Sequence, residues 1–353
     1  MATYVKPLQD VGVADVVDVG GKCANLGELI GAGLPVPPGF AITSAAFKDF
    51  IAGSGIHAKF SEVTQGVDWN DTAAIDEASQ HVRAELYAAA IPAAIASEII
   101  AGYKELCGEE HELPVAVRSS ATAEDGAEAS FAGVQDTYLW MRGYDEVVEA
   151  VRRCWASFFS PEALQYRHQN GLLGEGGGSM SVGVQRMVDA EVAGVMFTLN
   201  PMSGDRSSIA IEGSWGLGQS VVSGEVTPDS ILYAKIPKQI IKHEIATKTV
   251  ECIPDPVARG VAMIPVEEAR QRVACLSDAQ IHELAAIGRT VEKHYGRPQD
   301  IEWALERGTH ALLLLQARPE TVWSTKSKEK SEGTAVTSDN PAASILGTFL
   351  GKR

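Results

Sequence analysis

The chain has 353 residues, of which 45% are hydrophobic, and this length and composition predict a globular protein of two or three packed units. Its net charge of −16 argues against nucleic acid as the principal partner, so a polyanionic ligand would need a local basic cluster or a metal ion. The sequence shows no charged start followed by an apolar run, no apolar run of about 18 residues and no paired cysteines, which predicts a cytoplasmic protein with reduced thiols.

The first candidate phosphate contact is Lys22, which follows a pair of glycines. Apolar residues recur at helical spacing through residues 23–31, so Lys22 is expected at or near the N-terminus of a short helix. Free backbone N–H groups and the helix dipole stabilise a phosphate at such a position. The alternative is a solvated lysine without a ligand.

Several segments have the pattern of scaffold helices. Residues 44–50 and 71–106 are helical in pattern, and Pro92 breaks the second of them into two. Residues 144–159 carry aromatic side chains at helical spacing, and residues 277–295 also form an amphipathic pattern. Core packing is the expected role of all these helices.

The stretch 115–137 combines the features of a polyphosphate site. An apolar strand ends in Arg118, a small-residue turn follows, and a flexible loop precedes a second strand. Backbone N–H groups approach phosphate closely where side chains are small, and a guanidinium matches phosphate oxygens. The loop consists of Ser130, Phe131, Ala132 and Gly133. The alternative is a surface hairpin with a salt-bridged arginine.

Short strands joined by glycine-containing turns predict an antiparallel or mixed sheet in the second half of the chain. The predicted strands cover residues 181–188, 193–198, 208–212 and 230–233.

Two later strands carry a second polar group. Asp300 and Glu302 share one face of a strand by its two-residue period, as do Gln316 and Arg318 on the next strand. An acid and an amide on neighbouring strands provide oxygen ligands suited to Mg²⁺, and Arg318 would neutralise phosphate charge beside the metal. The alternative is an exposed hairpin edge with solvated charges.

A family resemblance joins these two groups of residues. The chain resembles, over about residues 1–323, the N-terminal nucleotide-binding domain of pyruvate phosphate dikinase and phosphoenolpyruvate synthase. The segments that carry the resemblance are GGKCANLGELIGAGLPVPPGFAIT, VAVRSSATAEDGAEASFAGVQDTYL, FTLNPMSGD, EGSWGLGQSVVSGEVTPD, QDIEWA and LLQARPETVWS. The resemblance implies an α+β (α/β) fold of the two-lobed ATP-grasp type, with ATP and Mg²⁺ held between the lobes. It also implies that ATP pyrophosphorylates a histidine on a mobile domain, and that hydrolysis leaves AMP, phosphate and a phosphohistidine.

The resemblance also implies roles for individual residues. Lys22 and Arg118 would hold the phosphates under a lid formed by the loop described above, and Arg318 would contact the transferring phosphoryl group. These three cations are the predicted catalytic residues. Glu302 and Gln316 would hold Mg²⁺, with Asp300 beside the metal. The remaining predicted nucleotide contacts are Gln185, Met187, Val188 and Glu212.

The predicted organisation has three parts. Residues 1–185 would form the first lobe and residues 186–323 the second. Residues 324–353 would form a flexible linker followed by a short amphipathic segment, which either docks on a partner as a helix or is a disordered tail whose apolar face folds back onto its own domain. None of the eight histidines lies in the glycine-rich phosphohistidine motif of the family. We therefore expect the acceptor histidine on a separate partner subunit, unless the chain is a fragment.

The split arrangement resembles phenylphosphate synthase of anaerobic phenol metabolism. Two alternatives stay open. One is a phosphoenolpyruvate synthase-like or antibiotic phosphotransferase ATP domain with another acceptor, and the other is a non-catalytic nucleotide-binding regulatory module.

Overall fold

The structure is a computed structural model that describes residues 3–121, 136–174, 178–255, 257, 260–320 and 323. The predicted lid loop and the tail after residue 323 lie outside these residues. The helices are α1 Val16–Gly31, α2 Ser44–Ser54, α3 Ile56–Thr64, α4 Thr72–Ala88, α5 Ala93–Cys107, α6 Tyr144–Ser157, α7 Pro161–Gln169, α8 Gln219–Val222 and α9 Asp278–Tyr295. The strands are β1 Val5–Pro7, β2 Gly39–Ile42, β3 Val115–Ala121, β4 Thr137–Met141, β5 Met180–Arg186, β6 Ala190–Phe197, β7 Ser208–Trp215, β8 Asp229–Ala234, β9 Gln239–Glu244, β10 Val250–Asp255, β11 Gly260–Pro265, β12 Gln299–Glu306 and β13 Leu312–Pro319.

The first sheet is antiparallel and has the strand order β1-β2-β5-β3-β4. Its β3 strand therefore lies between two neighbours, because it pairs with β5 as well as with β4. Val115 and Val117 point into a core formed with helices α2 to α7, in which Trp155 stacks on Phe50 at 5.0 Å between ring centroids. The surface position in the hairpin alternative is thus wrong, whereas its salt-bridged arginine is present, since Arg118 pairs with Glu302 at 3.3 Å.

The second sheet is also antiparallel, with the order β13-β12-β6-β7-β8-β9. One face packs on α9, where Ile281 and Leu284 are fully buried beside Trp303 of β12. The helix begins with a capping box between Ser277 and Gln280. The opposite face carries the polar residues of β12 and β13.

Helix α1 connects the two sheets. It packs on β3 and β5 of the first sheet and also contacts β13 of the second. Pro35 follows α1 in the chain, and its carbonyl accepts from the backbone N–H of Leu314 on β13 at 2.8 Å. A second link is the ion pair between Arg186 on β5 and Glu306 on β12, at 2.6 Å. The polar face of the second sheet is thereby held beside α1 and the first sheet.

The structure confirms the α+β class and the predicted helices, including the break between α4 and α5, although α1 begins at Val16 rather than at residue 23. Helix α2 runs to Ser54, four residues beyond its predicted end. Helices α3, α7 and α8 and strands β1, β2, β9, β10 and β11 were not predicted. The predicted domain boundary at residues 185 and 186 falls within β5, and the division into domains stays a prediction.

All five cysteines are buried and have free thiols. Burial raises the pKa of the Cys252 thiol. Among the described helices, none is by itself long and apolar enough to cross a membrane, and α4 with α5 would qualify only as a pair bent by 80°.

Candidate active site

The basic half of the candidate site lies on β3. Arg118 and Ser120 share one face of this strand, because side chains two residues apart point the same way. They lie opposite Gly183 and Ser181 of β5. A side chain at Gly183 would bring its Cβ to 2.9 Å from the sulfur of Cys23 in α1. Gly183 therefore allows α1 to approach closely the face of the first sheet that carries Arg118.

Lys22 lies on α1 just after an interruption of the helix. Gly20 has φ 72° and ψ 166°, which is not helical, so a new helical segment starts behind it. Lys22 stands in the first turn of that segment, as predicted, and its Nζ donates to the Ser119 carbonyl at 3.4 Å. The lysine is thus held against the strand that carries Arg118.

The acidic half of the site is a row of side chains across the second sheet. Glu302 of β12 lies opposite Gln316 of β13 on one side and Val195 of β6 on the other, and Val195 lies opposite Glu212 of β7. Residues opposite each other in a sheet share a face, and neighbouring strands are about 4.8 Å apart. Glu302 and Gln316 are therefore adjacent, while Glu212 is on the same face roughly 10 Å from Glu302.

A β-bulge in β13 determines which residues belong to this row. Glu302 pairs with Gln316, but the next residue, Trp303, pairs with Leu314. Leu315 is the extra residue, and it packs on the same side of the sheet as Leu313. Leu312 and Leu314 face α9, so a regular alternation would turn Gln316 and Arg318 toward α9 as well. Because of the bulge, both lie on the polar face instead.

Asp300 and Arg318 form an ion pair on this face. Arg318 donates through Nε and Nη2 to one carboxylate oxygen of Asp300, each at 2.7 Å. Burial raises the pKa of Asp300, and the charge of Arg318 opposes this rise only in part. The Arg318 side chain is 53% exposed. Asp300 therefore orients an arginine that stays accessible to a ligand.

Arg118 joins the two halves of the site. Its Nη2 lies 3.3 Å from Oε2 of Glu302, and its Nη1 donates to the Leu315 carbonyl at 3.3 Å. The Nε atom of Arg118 is buried and has no hydrogen-bond partner within the described part of the chain. Residues 184 positions apart in the sequence thus meet through one guanidinium.

Four of the predicted site residues line one small cleft between α1 and the strands β3, β5 and β13. It is lined by Lys22, Arg118, Gln185 and Gln316, together with Leu8, Cys23, Leu26, Ser120 and Gly183. The Gln185 side chain is buried on β5 and donates to the Pro37 carbonyl at 3.2 Å. The cleft therefore combines two cations and two amides with a largely apolar lining.

An apolar cluster lies on the polar side of the second sheet. It contains Val188, Ala190, Ala193, Leu217, Cys252 and Ala304, with Met187, Val261, Leu313 and Leu315 packed against it. Leu315 is the immediate neighbour of Gln316, so the cluster borders the cleft. The partly exposed side chains at its edge, Met187, Val261, Leu313 and Leu315, provide an apolar surface of the kind that a nucleobase packs against.

The residues present fit a magnesium–phosphate ligand. Carboxylate and amide oxygens are the donors that Mg²⁺ takes from a protein, and usually only one or two of them, the rest of its shell being phosphate and water. Glu302 and Gln316 supply such a pair, and among the described residues no group of three or more His, Cys, Asp and Glu side chains is clustered as metal ligands. Arg118 already places a positive charge beside Glu302, and among the residues that the structure describes its buried Nε–H has no partner, as in an anion-binding group.

Two further points concern the loop side of the cleft. Ser130, Phe131, Ala132 and Gly133 lie outside the described residues, so their role as a lid stays a prediction. Thr137, which the sequence did not single out, opens β4 directly opposite Arg118 and is exposed. Thr137 comes next to Arg118 only through the pairing of β3 with β4, so no local sequence signal identifies it.

The chain is similar in sequence to a known family and to proteins with an assigned name. The family model described as "Pyruvate phosphate dikinase, AMP/ATP-binding domain" matches residues 16–338. The chain is 41% identical over 368 residues to phosphoenolpyruvate synthase of Pseudomonas aeruginosa, covering 99% of the chain and 45% of that protein. It is 40% identical over 360 residues to phosphoenolpyruvate synthase of Pyrococcus furiosus, covering 90% of the chain and 44% of that protein.

A third relative is named probable phosphoenolpyruvate synthase, from Methanothermobacter thermautotrophicus. It is 42% identical over 353 residues, which are 99% of the chain and 50% of the relative. Across these relatives and another from Methanocaldococcus jannaschii, the chain spans between 27% and 50% of their length.

Proposed function

The chain belongs to the pyruvate phosphate dikinase AMP/ATP-binding domain family, and on this premise we propose that it is the Mg²⁺–ATP-activating part of a dikinase-type phosphotransferase. The two sheets and α1 would be the lobes of an ATP-grasp-type fold. ATP would lie in the cleft between them, with its base toward the apolar cluster around Val188 and its phosphates toward Lys22 and Arg118.

The observation that carries this proposal is the convergence of four residues from distant parts of the chain. Lys22 and Arg118 come from the first half of the sequence and Gln316 from the last strand, yet all three line one cleft. Glu302 reaches the same place through its ion pair with Arg118. A scaffold alone would not require two cations, a carboxylate and an amide at one point between two sheets.

Each residue would have a distinct task. Lys22 and Arg118 would bind phosphate oxygens, with Arg118 releasing Glu302 as a nucleotide enters. Glu302 and Gln316 would hold Mg²⁺, which when bound neutralises phosphate charge and orients the phosphate chain. Arg318, oriented by Asp300, would stabilise negative charge that develops during transfer.

We further propose that the phosphoacceptor is a histidine on a separate subunit. ATP would transfer its β- and γ-phosphates together to the imidazole with release of AMP, and water would then remove the outer phosphate as inorganic phosphate. The partner would carry the resulting phosphohistidine to its own acceptor site.

The decisive experiment combines binding with product analysis. Calorimetry of the chain with ATP is expected to show binding that strengthens with Mg²⁺. AMP release is expected to stay slow with the chain alone and to rise when a histidine-bearing partner is added. Rapid AMP formation by the chain alone would contradict the split mechanism. Binding without any partner-dependent AMP release would favour a regulatory nucleotide-binding module.

The final acceptor needs its own test. We propose phenol, on the resemblance to the split phenylphosphate synthase, with pyruvate as the alternative that the named relatives favour. Radiolabelled ATP with the reconstituted pair should yield phenylphosphate when phenol is supplied. Label in phosphoenolpyruvate but not in phenylphosphate would assign the chain to the pyruvate reaction.

A further inference from the structure

The interruption of α1 removes one specific backbone hydrogen bond. In a continuous α-helix, the carbonyl of Val19 would accept from the N–H of Cys23, four residues later. Gly20, with φ 72° and ψ 166°, separates these two groups. Helix kinks of this kind arise where a side chain inserts between a carbonyl and its N–H partner.

The inserted side chain is Ser120 of β3. Its hydroxyl donates to the Val19 carbonyl at 3.0 Å and accepts from the Cys23 N–H at 3.3 Å. One hydroxyl therefore bridges the two backbone groups that the kink separates. Ser120 is fully buried and comes from a strand about 100 residues further along the chain.

The contact is too close to admit another residue at the kink. A Cβ on Gly20 would lie 2.2 Å from the Ser120 carbonyl oxygen and 2.4 Å from its hydroxyl oxygen. The positive φ of Gly20 independently disfavours any residue with a side chain. Gly20 and Ser120 thus form a matched pair, which fixes α1 against β3 at one point.

The kink decides where Lys22 points. The new helical segment begins within two residues of Gly20, and Lys22 in its first turn reaches the Ser119 carbonyl beside Arg118. If α1 were a continuous helix, Gly20 would adopt helical φ and ψ angles. The side chains that follow Gly20 would then point in different directions. Lys22 would then lose its place in the cleft.

We propose that Ser120 is a positioning residue for the nucleotide site, which sets Lys22 by bridging the break in α1. This inference rests on the proposed function only in taking ATP as the ligand, since the Ser120 bridge is present in the chain without a nucleotide. Ser120→Ala removes the bridge and leaves Lys22, Arg118 and the metal ligands in the sequence.

A neighbouring serine supplies a matched control. Ser181 lies directly opposite Ser120, is equally buried, and donates its hydroxyl to the Ser120 carbonyl at 2.6 Å. Ser181→Ala therefore deletes one buried hydroxyl at the same depth in the sheet, and the hydrogen bond that it removes goes to β3 and not to α1. Both alanine variants should lose similar stability, since each loses hydrogen bonds at a fully buried position.

Two measurements separate the variants. In hydrogen–deuterium exchange without nucleotide, the amides of residues 21–26 should exchange faster in Ser120→Ala and remain at the wild-type rate in Ser181→Ala. In calorimetry with Mg²⁺ and ATP, Ser120→Ala should bind roughly tenfold more weakly, the scale of one or two buried hydrogen bonds, and Ser181→Ala should bind as wild type. Ser120→Cys, whose thiol makes weaker hydrogen bonds, should fall between wild type and alanine, and it replaces Ser120→Ala if that variant does not fold.

The outcomes distinguish this inference from the proposed function. If wild type binds ATP and Ser120→Ala matches it in affinity and in amide exchange, the positioning role is wrong. If Ser181→Ala weakens binding as much as Ser120→Ala, the effect is one of general stability and the positioning role is again wrong. If wild type fails to bind ATP while exchange still separates the two alanine variants, the bridge stands and the proposed function fails.

Discussion

Glu302 is the residue whose replacement tests the site most directly. The structure gives it two roles, since it pairs with Arg118 between the sheets and is placed to hold Mg²⁺ beside Gln316. At 3.3 Å and an effective dielectric constant of 20, the gross Coulomb attraction to Arg118 is about 5 kcal/mol. The side chains of Arg118 and Glu302 are 20% and 28% exposed, so solvation offsets most of this attraction. We therefore expect Glu302→Ala to cost about 1–2 kcal/mol of stability.

Glu306 provides a control on the same strand. It also joins β12 to the first sheet, through an ion pair with Arg186 at 2.6 Å, but it lies four residues from the proposed metal ligand. Glu306→Ala should lower the free energy of unfolding by a similar amount, which corresponds to a fall in Tm of about 2–4 °C per kcal/mol for a domain of 150–250 residues. Only Glu302→Ala should lose the strengthening of ATP binding by Mg²⁺.

The assay is a calorimetric titration with ATP at several Mg²⁺ concentrations, paired with thermal unfolding of each variant. In wild type and Glu306→Ala, affinity should rise with Mg²⁺. In Glu302→Ala, the gain in ATP affinity on adding Mg²⁺ should be at least roughly tenfold smaller than in wild type. Tenfold is the lower end of the loss in metal affinity on removing a residue that only supports a metal ligand. Equal Mg²⁺ dependence in the two variants would refute the assignment of Glu302 as a metal ligand.

Three further predictions concern transfer, pH and the tail. Arg318→Ala should keep ATP affinity but reduce partner-dependent AMP release by roughly 10²–10³. The control is Arg307→Ala, which removes a half-exposed guanidinium 3.5 Å from Asp189 and should leave the rate unchanged; a normal rate for Arg318→Ala would contradict its role. Burial acts to raise the pKa of Glu306, but hydrogen bonds from Arg186 and Thr309 outweigh it and the pKa lies below its usual value. The free energy of unfolding of wild type should therefore exceed that of Glu306→Gln above pH 4.5, the usual pKa of a glutamate. This difference should vanish as the pH falls through the lowered pKa, as measured by denaturant unfolding. Deleting residues 339–353, which lie outside the described part of the structure, should leave ATP affinity unchanged and weaken partner association; equal affinities would exclude docking by the tail.

The polar faces of the site could be predicted from the sequence because they depend on local geometry. The two-residue period of a strand places Asp300 with Glu302 and Gln316 with Arg318, and the structure keeps both pairs together. The pair of glycines before a helical pattern likewise predicted the position of Lys22. These inferences needed only neighbours within a few residues.

The contacts that assemble the site could not be predicted in this way. The partner of Arg118 is 184 residues away, and only the packing of two sheets around α1 brings Glu302 to it. The segments that were missed have weak local signals. Strands β10 and β11 each contain or end in proline, and α7 begins with Pro161 and has little amphipathic character. Their structure depends on tertiary neighbours rather than on propensity.

The bulge at Leu315 has a consequence for how the length of this strand can vary. In a regular strand with the same sequence, Gln316 and Arg318 would turn toward the core beside Trp303, and the ligand row would be lost. Deleting Leu315 would restore a regular alternation and leave both polar residues facing the cleft, because Gln316 would then follow Leu314 directly. What the shorter strand would lack is the extra carbonyl that accepts from Arg118. A one-residue deletion at this point is therefore compatible with the metal ligands and removes an anchor of the guanidinium, whereas a deletion between Gln316 and Arg318 would separate the arginine from Asp300.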